Sequence, residues 1–389
     1  MKNDRWRQRI TIYAFLLYLV GMIFVMVICP RREVSQSERR RLAEKPELTL
    51  DSLIDKSFMD DTEKYLLDHF PFREKLRRIK AYYSYNVLQQ MENNDIYVAG
   101  GHASRLDYSM NEASVSRLAD KMKDLQQKYF PDKVFCYAIV PDKNFFLAGE
   151  NGFPAMDYGY MLNLLSDKLE DENTARYIDI ITGLAIDDYY HTDTHWRQEH
   201  LFGTVYTIAE AFGAEKSLCL QENDFTAHEI KDYYGVYYGQ AALPMEPDTI
   251  IYLTNELTDA ASVWNLEDNF SGGRVVMPDD AGAVLQPVYR IDKIEDEKSL
   301  DKYDVFLGGA ASLQIIKSPK ASADKRLILF RDSYTSSLAP LLLEAYSEIT
   351  LIDLRYINSA LIGEYVDFAD ADILFLYNTA IVNQAEMLK

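Results

Sequence analysis

The stretch Leu327–Tyr334, with the sequence Leu-Ile-Leu-Phe-Arg-Asp-Ser-Tyr, is a run of β-favouring apolar residues that ends abruptly in Asp332-Ser333. A helical pattern follows it. A serine between a strand and a helix is expected at the carboxyl edge of a parallel sheet, where open α/β folds bind their ligands. Backbone N–H groups at the start of that helix could stabilise an oxyanion. The alternative is that Asp332 or Ser333 simply caps the helix, because both residue types are favoured N-caps.

Short apolar β runs alternate with helical patterns over most of the chain. The predicted helices are 112–129, 158–169, 199–212, 336–346 and about 358–365. The predicted strands are 134–140, 177–181, 249–253, 303–307, 313–316, 327–330, 349–352 and 373–377. This alternation predicts an α/β fold with a mostly parallel sheet and helices on both faces. Residues 220–300 interrupt it with Gly, Asp and Asn clusters, and we interpret them as an insertion with short strands of its own.

The N-terminal part of the sequence predicts a membrane anchor. Residues 10–29 carry no charge, and at ~1.5 Å per residue they are long enough for a ~30 Å hydrocarbon core. Cys29 is followed by Pro30-Arg31-Arg32 and no small-residue cleavage site, which favours an uncleaved signal anchor over a removable signal peptide. Basic residues flank the run on both sides, so charge alone does not fix its orientation. The other predicted parts are a cytoplasmic tail at 1–9, a stalk at 30–55 and a main domain at 56–389 with a helical first part at 56–92.

Composition narrows the function classes. The 389 residues carry a formal charge of −20 at pH 7. A surface this acidic repels phosphate backbones, so no nucleic-acid partner is predicted. The chain has 3 cysteines without a C-x-x-C spacing, which leaves no zinc-ribbon or thioredoxin motif. The sequence predicts no cofactor.

A second stretch, Tyr189–Trp196, reads Tyr-Tyr-His-Thr-Asp-Thr-His-Trp and places Asp193 two residues before His195. A serine hydroxyl is a poor nucleophile until a base takes its proton, and that base needs a partner on its other ring nitrogen. Our hypothesis is that Asp193, His195 and Ser333 meet as a Ser-His-Asp relay. A metal site is an alternative, because His191, Asp193 and His195 share one face of an extended segment. No clear fourth ligand accompanies them, so no metal is predicted, and a purely structural polar turn is a further alternative.

Further motifs follow one another in a fixed order along the chain. They are Ser37-Glu38-Arg39-Arg40-Arg41-Leu42, Asp68-His69-Phe70-Pro71-Phe72-Arg73, Asp95-Ile96-Tyr97, Tyr233-Tyr234-Gly235, Tyr303-Asp304-Val305-Phe306-Leu307-Gly308-Gly309 and Ile352-Asp353-Leu354-Arg355-Tyr356. Together with the two stretches above, their order and spacing resemble the DHHW family. More distantly, they resemble the SGNH-type alginate O-acetylation proteins AlgX and AlgJ.

The resemblance implies an SGNH-hydrolase-like (flavodoxin-like) α/β domain outside the membrane, in which Asp and His precede Ser along the chain. Asp193, His195 and Ser333 match the family's catalytic positions. Thr194 stands where the family name has its first His, a position that the relay does not need. Arg331 replaces the Gly that precedes Asp-Ser in typical SGNH hydrolases. The replacement changes the group that would stabilise the oxyanion there, and a basic residue favours an anionic acceptor or intermediate.

Five residues near these positions are predicted to contribute to oxyanion or substrate binding: Asn378, Arg331, Tyr334, Arg355 and Trp196. Asn378 ends the last predicted strand, where its amide could face the oxyanion or simply form a turn. Arg355 follows a strand and suits a salt bridge as well as a substrate. Trp196 suits a sugar ring or buried aromatic packing.

The resemblance implies transfer of an acetyl group to a cell-surface or exported polysaccharide through an acyl-enzyme on Ser333. It also implies two partners, the polysaccharide acceptor and a membrane-bound O-acyltransferase that supplies the acetyl group. The implied location is the cell membrane, with the catalytic domain extracytoplasmic. Two alternatives stay open: a carbohydrate acetylesterase, in which water replaces the sugar, and a non-catalytic polysaccharide-binding or assembly protein with the same fold.

Overall fold

The structure is a computed structural model that describes residues 2–28, 33–35, 37–169, 174–215, 218, 224–295, 299–321 and 324–389. The chain packs as two compact units. The first unit is Met1–Asn94 with Tyr238–Pro244, and the second is Asp95–Tyr237 with Met245–Lys389. The helical part predicted at 56–92 falls in the first unit. Cys29, the last residue of the predicted membrane span, and Cys219 lie outside the described residues.

The first unit contains one long helix and several short elements. Helix α1 spans Lys2–Ile28, and its segment Trp6–Met26 is long and apolar enough to cross a membrane. A short antiparallel pair, β1 (Val34–Ser35) and β2 (Arg40–Arg41), follows. Its further helices are α2 (Leu50–Ile54), α3 (Ser57–Asp68) and α4 (Arg73–Tyr82), which continues as one π-helical turn over Tyr83–Val87. Pro71 lies between α3 and α4 and divides the helical part predicted at 56–92.

The remaining strands and helices follow in chain order. The strands are β3 (Ile96–Ala99), β4 (His102–Arg105), β5 (Phe135–Val140), β6 (Ala175–Tyr177), β7 (Thr226–Tyr233), β8 (Asp248–Thr254), β9 (Ser262–Asn265), β10 (Phe270–Ser271), β11 (Arg274–Val275), β12 (Leu285–Pro287), β13 (Leu313–Lys317), β14 (Arg326–Arg331), β15 (Glu348–Ile352) and β16 (Ala371–Asn378). The helices are α5 (Glu112–Tyr129), α6 (Lys143–Asn151), α7 (Tyr158–Lys168), α8 (Phe202–Ala211), α9 (Val236–Ala241), α10 (Glu256–Ala260), α11 (Ile291–Glu295), α12 (Thr335–Leu338) and α13 (Thr379–Val382).

An eight-stranded sheet forms the centre of the second unit, in the order β12-β9-β13-β15-β14-β16-β5-β6. The strands from β15 to β6 pair in parallel. The strands β13, β9 and β12 extend the sheet with antiparallel pairs. The predicted fold class, a mostly parallel sheet, is confirmed. Two strands of the predicted insertion, β9 and β12, form one edge of this sheet, whereas β7 and β8 pair with each other.

Both faces of the sheet are covered because successive strand residues point to opposite sides. On β14, Leu327 and Leu329 face the core that contains α8, whereas Ile328 and Phe330 face the core that contains α5 and α7. Helix α5 begins where the Asn111 side chain accepts the N–H of Ser114. Its bounds match the predicted helix 112–129. Parallel strands buried on both faces explain why these runs are apolar throughout and do not alternate.

The predicted strand over 303–307 is wrong, because residues Lys302–Val305 form a 3-10 helix. The Asp301 side chain accepts the N–H of Tyr303 and starts that turn. Leu307 and the two glycines after it have positive φ angles of 59°, 80° and 89°, which end any extended run. The apolar side chains are buried nevertheless, and burial alone does not distinguish a strand from a short helix.

Three other predicted elements are shorter than expected. The predicted helix 336–346 is α-helical only over Thr335–Leu338 and continues as a 3-10 helix over Ala339–Glu344. Pro340 lacks the N–H that a regular α-helix requires. The predicted segment 358–365 contains one 3-10 turn, Ile362–Glu364. The predicted strand 177–181 overlaps β6 only at Tyr177.

Candidate active site

Ser333 lies in the turn between β14 and α12, and the neighbouring Asp332 holds that turn in place. One oxygen of the Asp332 carboxylate accepts the N–H of Tyr334 at 3.0 Å, and the other accepts the N–H of Asn378 at 2.6 Å. Because Asn378 ends β16, this carboxylate joins the ends of two neighbouring parallel strands. Burial raises the pKa of Asp332. The predicted capping role is wrong, because the N-cap of α12 is Tyr334, whose side chain does not cap it. Asp332 binds the turn before the helix, and the hydroxyl of Ser333 has a different partner.

That partner is the imidazole of His195. Its Nε2 lies 2.8 Å from the Oγ of Ser333, and its Nδ1 lies 2.6 Å from Oδ1 of Asp193. Because the ionised carboxylate can only accept, Nδ1 carries a hydrogen and a neutral imidazole leaves Nε2 as the acceptor for the serine hydroxyl. The three residues that the sequence hypothesis joined are therefore hydrogen-bonded in a line. The Asp193 side chain is fully buried, and that of His195 is 9% exposed.

The Asp193 carboxylate is fixed by backbone groups as well as by the imidazole. Its Oδ1 also accepts the N–H of His195 at 3.0 Å, and its Oδ2 accepts the N–H of Val236 at 2.8 Å. Gly235 lies directly against it: a Cβ at position 235 would be 2.3 Å from the Cβ of Asp193. Only a glycine allows the two backbones to approach this closely.

A buried lysine holds the loop that carries Asp193. The ammonium of Lys143, the first residue of α6, donates to the backbone oxygens of Tyr190, His191 and Asp193 at 2.7, 3.0 and 3.0 Å. An ammonium has three donors, and these three carbonyls use all of them. Burial lowers the pKa of Lys143 to about 7, partly offset by the charges of Asp193 and Asp248. The sequence analysis missed this residue, since a lysine after a strand has no distinctive pattern.

The carboxylate of Asp248, at the start of β8, supports the same loop from another side. It accepts the N–H groups of His191 and Thr192 at 2.8 and 2.7 Å. The Nδ1 of His191 lies 3.2 Å from the same carboxylate, and its ring stacks on His102. His191 therefore faces a different carboxylate from the one that holds His195. Within the described residues, no group of three or more His, Cys, Asp or Glu side chains is arranged to hold a metal ion.

Two tyrosines pack against the imidazole. The ring of Tyr303 stacks on that of His195 at 4.0 Å and an angle of 9°, and its hydroxyl donates to Ser337. The hydroxyl of Tyr334 donates to the backbone oxygen of Thr194 at 2.7 Å. Burial raises the pKa of both phenols, so they remain neutral. Tyr303 was predicted within a strand, and its contact with His195 was not foreseen.

The residues predicted for oxyanion or substrate binding mostly have structural contacts. Trp196 is fully buried, and its N–H donates to the backbone oxygen of Tyr334 at 2.8 Å, so it packs in the core and does not offer a face to a sugar. Arg355 forms a bidentate pair with Asp353 at 2.8 and 2.6 Å. The guanidinium of buried Arg331 donates to Gln314 and Ser336, and burial lowers its pKa.

Asn378 acts as a helix cap. Its side-chain oxygen accepts the N–H of Ala380 at 2.8 Å, and its amide donates to the backbone oxygen of Val140 at 3.2 Å. It lies next to the Ser333 turn because its own N–H binds Asp332. Within the described residues, neither Asn378 nor Arg331 is hydrogen-bonded to Ser333 or His195.

The fold is an SGNH-hydrolase-like α/β fold, and it brings the hydrogen-bonded Ser333, His195 and Asp193 together at the carboxyl edge of its sheet. No family model and no curated protein matches the chain. The chain is similar to the crystal structure of a DHHW family protein from Eubacterium siraeum, with 18% identity, a TM-score of 0.55, and coverage of 76% of this chain and 95% of that one. It is also similar to Bacillus cereus PatB1 with a sulfonyl adduct, at 15% identity, a TM-score of 0.53, and coverage of 74% and 97%. These similarities confirm the predicted fold.

Proposed function

We propose that this protein is an O-acetyltransferase that acts on a cell-surface or exported polysaccharide through an acyl-enzyme on Ser333. The observation that carries the proposal is the hydrogen-bonded line from Asp193 through His195 to Ser333. Nucleophile, base and orienting carboxylate are each within hydrogen-bond reach of the next, which is the arrangement that activates a serine. The fold similarity to a DHHW family protein is consistent with it.

In the first half-reaction, the Ser333 hydroxyl gives its proton to Nε2 of His195 while Oγ attacks the carbonyl carbon of an acetyl ester donor. Asp193 stabilises the imidazolium that forms. The bond between the carbonyl carbon and the donor oxygen then breaks, and the donor alcohol takes the proton from His195. We assign the backbone N–H of Ser333 to the oxyanion of the tetrahedral intermediate, because it precedes α12 at the open end of the sheet.

In the second half-reaction, a sugar hydroxyl gives its proton to His195 and attacks the acetyl carbon on Ser333. The bond between that carbon and Oγ breaks, and Ser333 recovers its proton from the imidazolium. Water in place of the sugar would make the protein an acetylesterase. The two activities therefore use the same relay and differ in what reaches the acyl-enzyme.

Location and partners complete the proposal. Helix α1 anchors the protein in the cell membrane, and the second unit lies outside the cytoplasm. The apolar segment Trp6–Met26 supports the anchor by its length and composition. The acetyl supplier would be a membrane-bound O-acyltransferase, which is the kind of partner that an anchored acetyltransferase could reach.

The test is release of p-nitrophenol from p-nitrophenyl acetate by the full chain in detergent, beside Ser333→Ala and His195→Ala. Each variant is expected to lose roughly 10⁴-fold or more of the rate, because the residues of a relay act as a unit. A sulfonyl fluoride should label the wild-type protein and not Ser333→Ala. Addition of oligosaccharide acceptors should then produce acetylated sugar if the protein is a transferase.

A matched control is available on the surface. The imidazole of His200 pairs with Asp188 at 2.9 Å, as His195 does with Asp193, but it is exposed. His200→Ala should leave the rate unchanged. A low rate that survives both Ser333→Ala and His195→Ala would refute the catalytic proposal and favour a polysaccharide-binding protein with the same fold.

A further inference from the structure

Charged side chains of the first unit pair with one another on one side of α4. On α4, Arg73 and Arg77 face the carboxylate of Glu38, at 2.5 and 3.5 Å. Arg40 pairs with Asp68 at 2.5 Å, and this hydrogen bond holds the pKa of Asp68 at about 2. The Glu38 and Asp68 side chains are 16% and 9% exposed, whereas that of Arg40 is 41% exposed, so these pairs are partly enclosed.

The outer face of α4 is apolar. Phe72, Leu76, Ile79 and Tyr83 recur at intervals of three and four residues, which places them on one side of the helix. They are 62%, 46%, 61% and 52% exposed, whereas Ala81 on the opposite side is buried. We call these four residues the outer stripe. A helix with this pattern normally turns its apolar side toward a core.

The first unit exposes further large apolar side chains besides the outer stripe. Other large apolar side chains exposed in this unit are Leu48, Leu50, Leu53, Ile54, Met59, Leu66, Leu67, Phe70, Val87, Leu88 and Met91. So many exposed large apolar side chains in one unit indicate a contact with a partner or a membrane. The exposed lysines Lys75 and Lys80 lie on opposite sides of the outer stripe, in a chain whose net charge is −20.

We propose that the outer stripe lies in the interface of the bilayer that holds α1, with Lys75 and Lys80 against anionic lipid headgroups. This inference rests on the membrane anchor of the proposed function. Helices with an apolar side flanked by lysines lie in the plane of the membrane interface, and tyrosines are enriched at headgroup level. Lysines near the membrane are attracted by the negative surface potential of anionic lipids.

The chain between α1 and α2 limits how far the first unit can lie from the bilayer. Helix α1 ends at Ile28 and α2 begins at Leu50. Even fully extended, this connection spans only about 70 Å, since each residue adds at most about 3.3–3.6 Å. The ion pairs of Arg73 and Arg77 with Glu38 lie on the other side of α4, so they do not oppose an apolar surrounding of the outer stripe.

The experiment uses the full chain reconstituted in phosphatidylcholine vesicles that contain phosphatidylglycerol. A spin label is placed at Ile79→Cys in a chain with Cys29→Ser and Cys219→Ser, and its collisions with oxygen and with a water-soluble nickel chelate are compared. The label should favour oxygen and report a depth of roughly 5–10 Å below the headgroup boundary. A label at Asp61→Cys, which is exposed on the side of α3 away from Met59, Leu66 and Phe70, should favour the nickel chelate.

Further labels make each outcome decisive. A label at Leu17→Cys reports whether α1 is inserted in the bilayer. It therefore distinguishes a chain whose α1 is not inserted from one whose outer stripe does not contact lipid. With Leu17 in lipid, a water-exposed label at Ile79 would overturn the inference and leave the anchor intact. A label at Ile79 that neither reagent reaches would also overturn it, because it would indicate contact with protein. The double variant Lys75→Glu with Lys80→Glu should move the Ile79 label outward in the anionic vesicles and leave it unchanged in phosphatidylcholine alone.

Discussion

Gly235→Ala tests how closely the activity depends on the position of Asp193. The added Cβ would lie 2.3 Å from the Cβ, 2.4 Å from the Cα and 2.5 Å from the N of Asp193, all closer than the 3.0 Å that real Cβ atoms respect. Two of these atoms belong to the backbone, so no rotamer change relieves the overlap. Relief requires a displacement on the order of 1 Å, and a misplacement of that size at a catalytic group costs roughly 100-fold in rate.

The same overlap should also lower the free energy of unfolding. Overpacking a tight interior site costs about 1–3 kcal/mol. The expected result is therefore a roughly 100-fold slower release of p-nitrophenol, together with a urea midpoint shifted to lower concentration at an unchanged slope. Both quantities are measured on the same purified full chain.

Gly203→Ala is the matched control, because a Cβ at Gly203 in α8 meets nothing within 4 Å. It should leave the rate unchanged and stabilise the protein by up to about 1 kcal/mol, since alanine favours a helix. A Gly235→Ala variant with full rate and full stability would refute the packing argument. A variant that loses stability but keeps its rate would refute the dependence of the activity on the Asp193 position.

Three further predictions concern buried polar groups near the site. Burial lowers the pKa of His102 to about 4, so stability should fall by up to roughly 3 kcal/mol as the pH drops from about 6.5 to 4, and urea unfolding of His102→Gln should lack this loss. The pKa of Lys143 is about 7 in the folded protein, below its value in the unfolded chain. Above pH 7, the unfolded chain therefore binds more protons at this residue than the folded protein does. Stability should therefore rise with pH from about 7 toward 10, by at most about 1.4 kcal/mol per unit, and Lys143→Met should flatten the slope. Trp196→Phe removes the N–H that donates to the backbone oxygen of Tyr334 and should cost about 1–3 kcal/mol in urea unfolding at constant pH.

Those features of the fold that depend on local pattern could be predicted from the sequence. The bounds of α5 follow from helical periodicity and a capping asparagine, and β14 and β16 follow from short apolar runs. Asp193 and His195 are two residues apart, so their pairing is a local property as well. The approach of Ser333, 138 residues further along, to His195 needed the family resemblance in addition, because spacing alone gives no long-range distance.

The remaining features depend on long-range packing, which residue type alone does not specify. Lys143 holds the Asp193 loop through backbone carbonyls, which any sequence can supply. No motif in the sequence therefore indicates that this lysine contacts the loop. From the sequence, Trp196 was compatible with stacking on a sugar ring or with packing in the core. Only its burial in the structure distinguishes these two roles. The run at 303–307 is apolar because it is buried, but it is helical because Asp301 caps it and glycines end it.

The distance between Ser333 and His195 is set by contacts that lie outside the relay itself. Asp332 ties the Ser333 turn to the end of β16, and Trp196, next to His195, donates to the backbone of Tyr334, next to Ser333. The two loops are thus joined by a hydrogen bond between the neighbours of the reacting residues. A relay held in this way keeps its geometry without depending on the Ser–His hydrogen bond, which must break and re-form in every proposed acyl transfer.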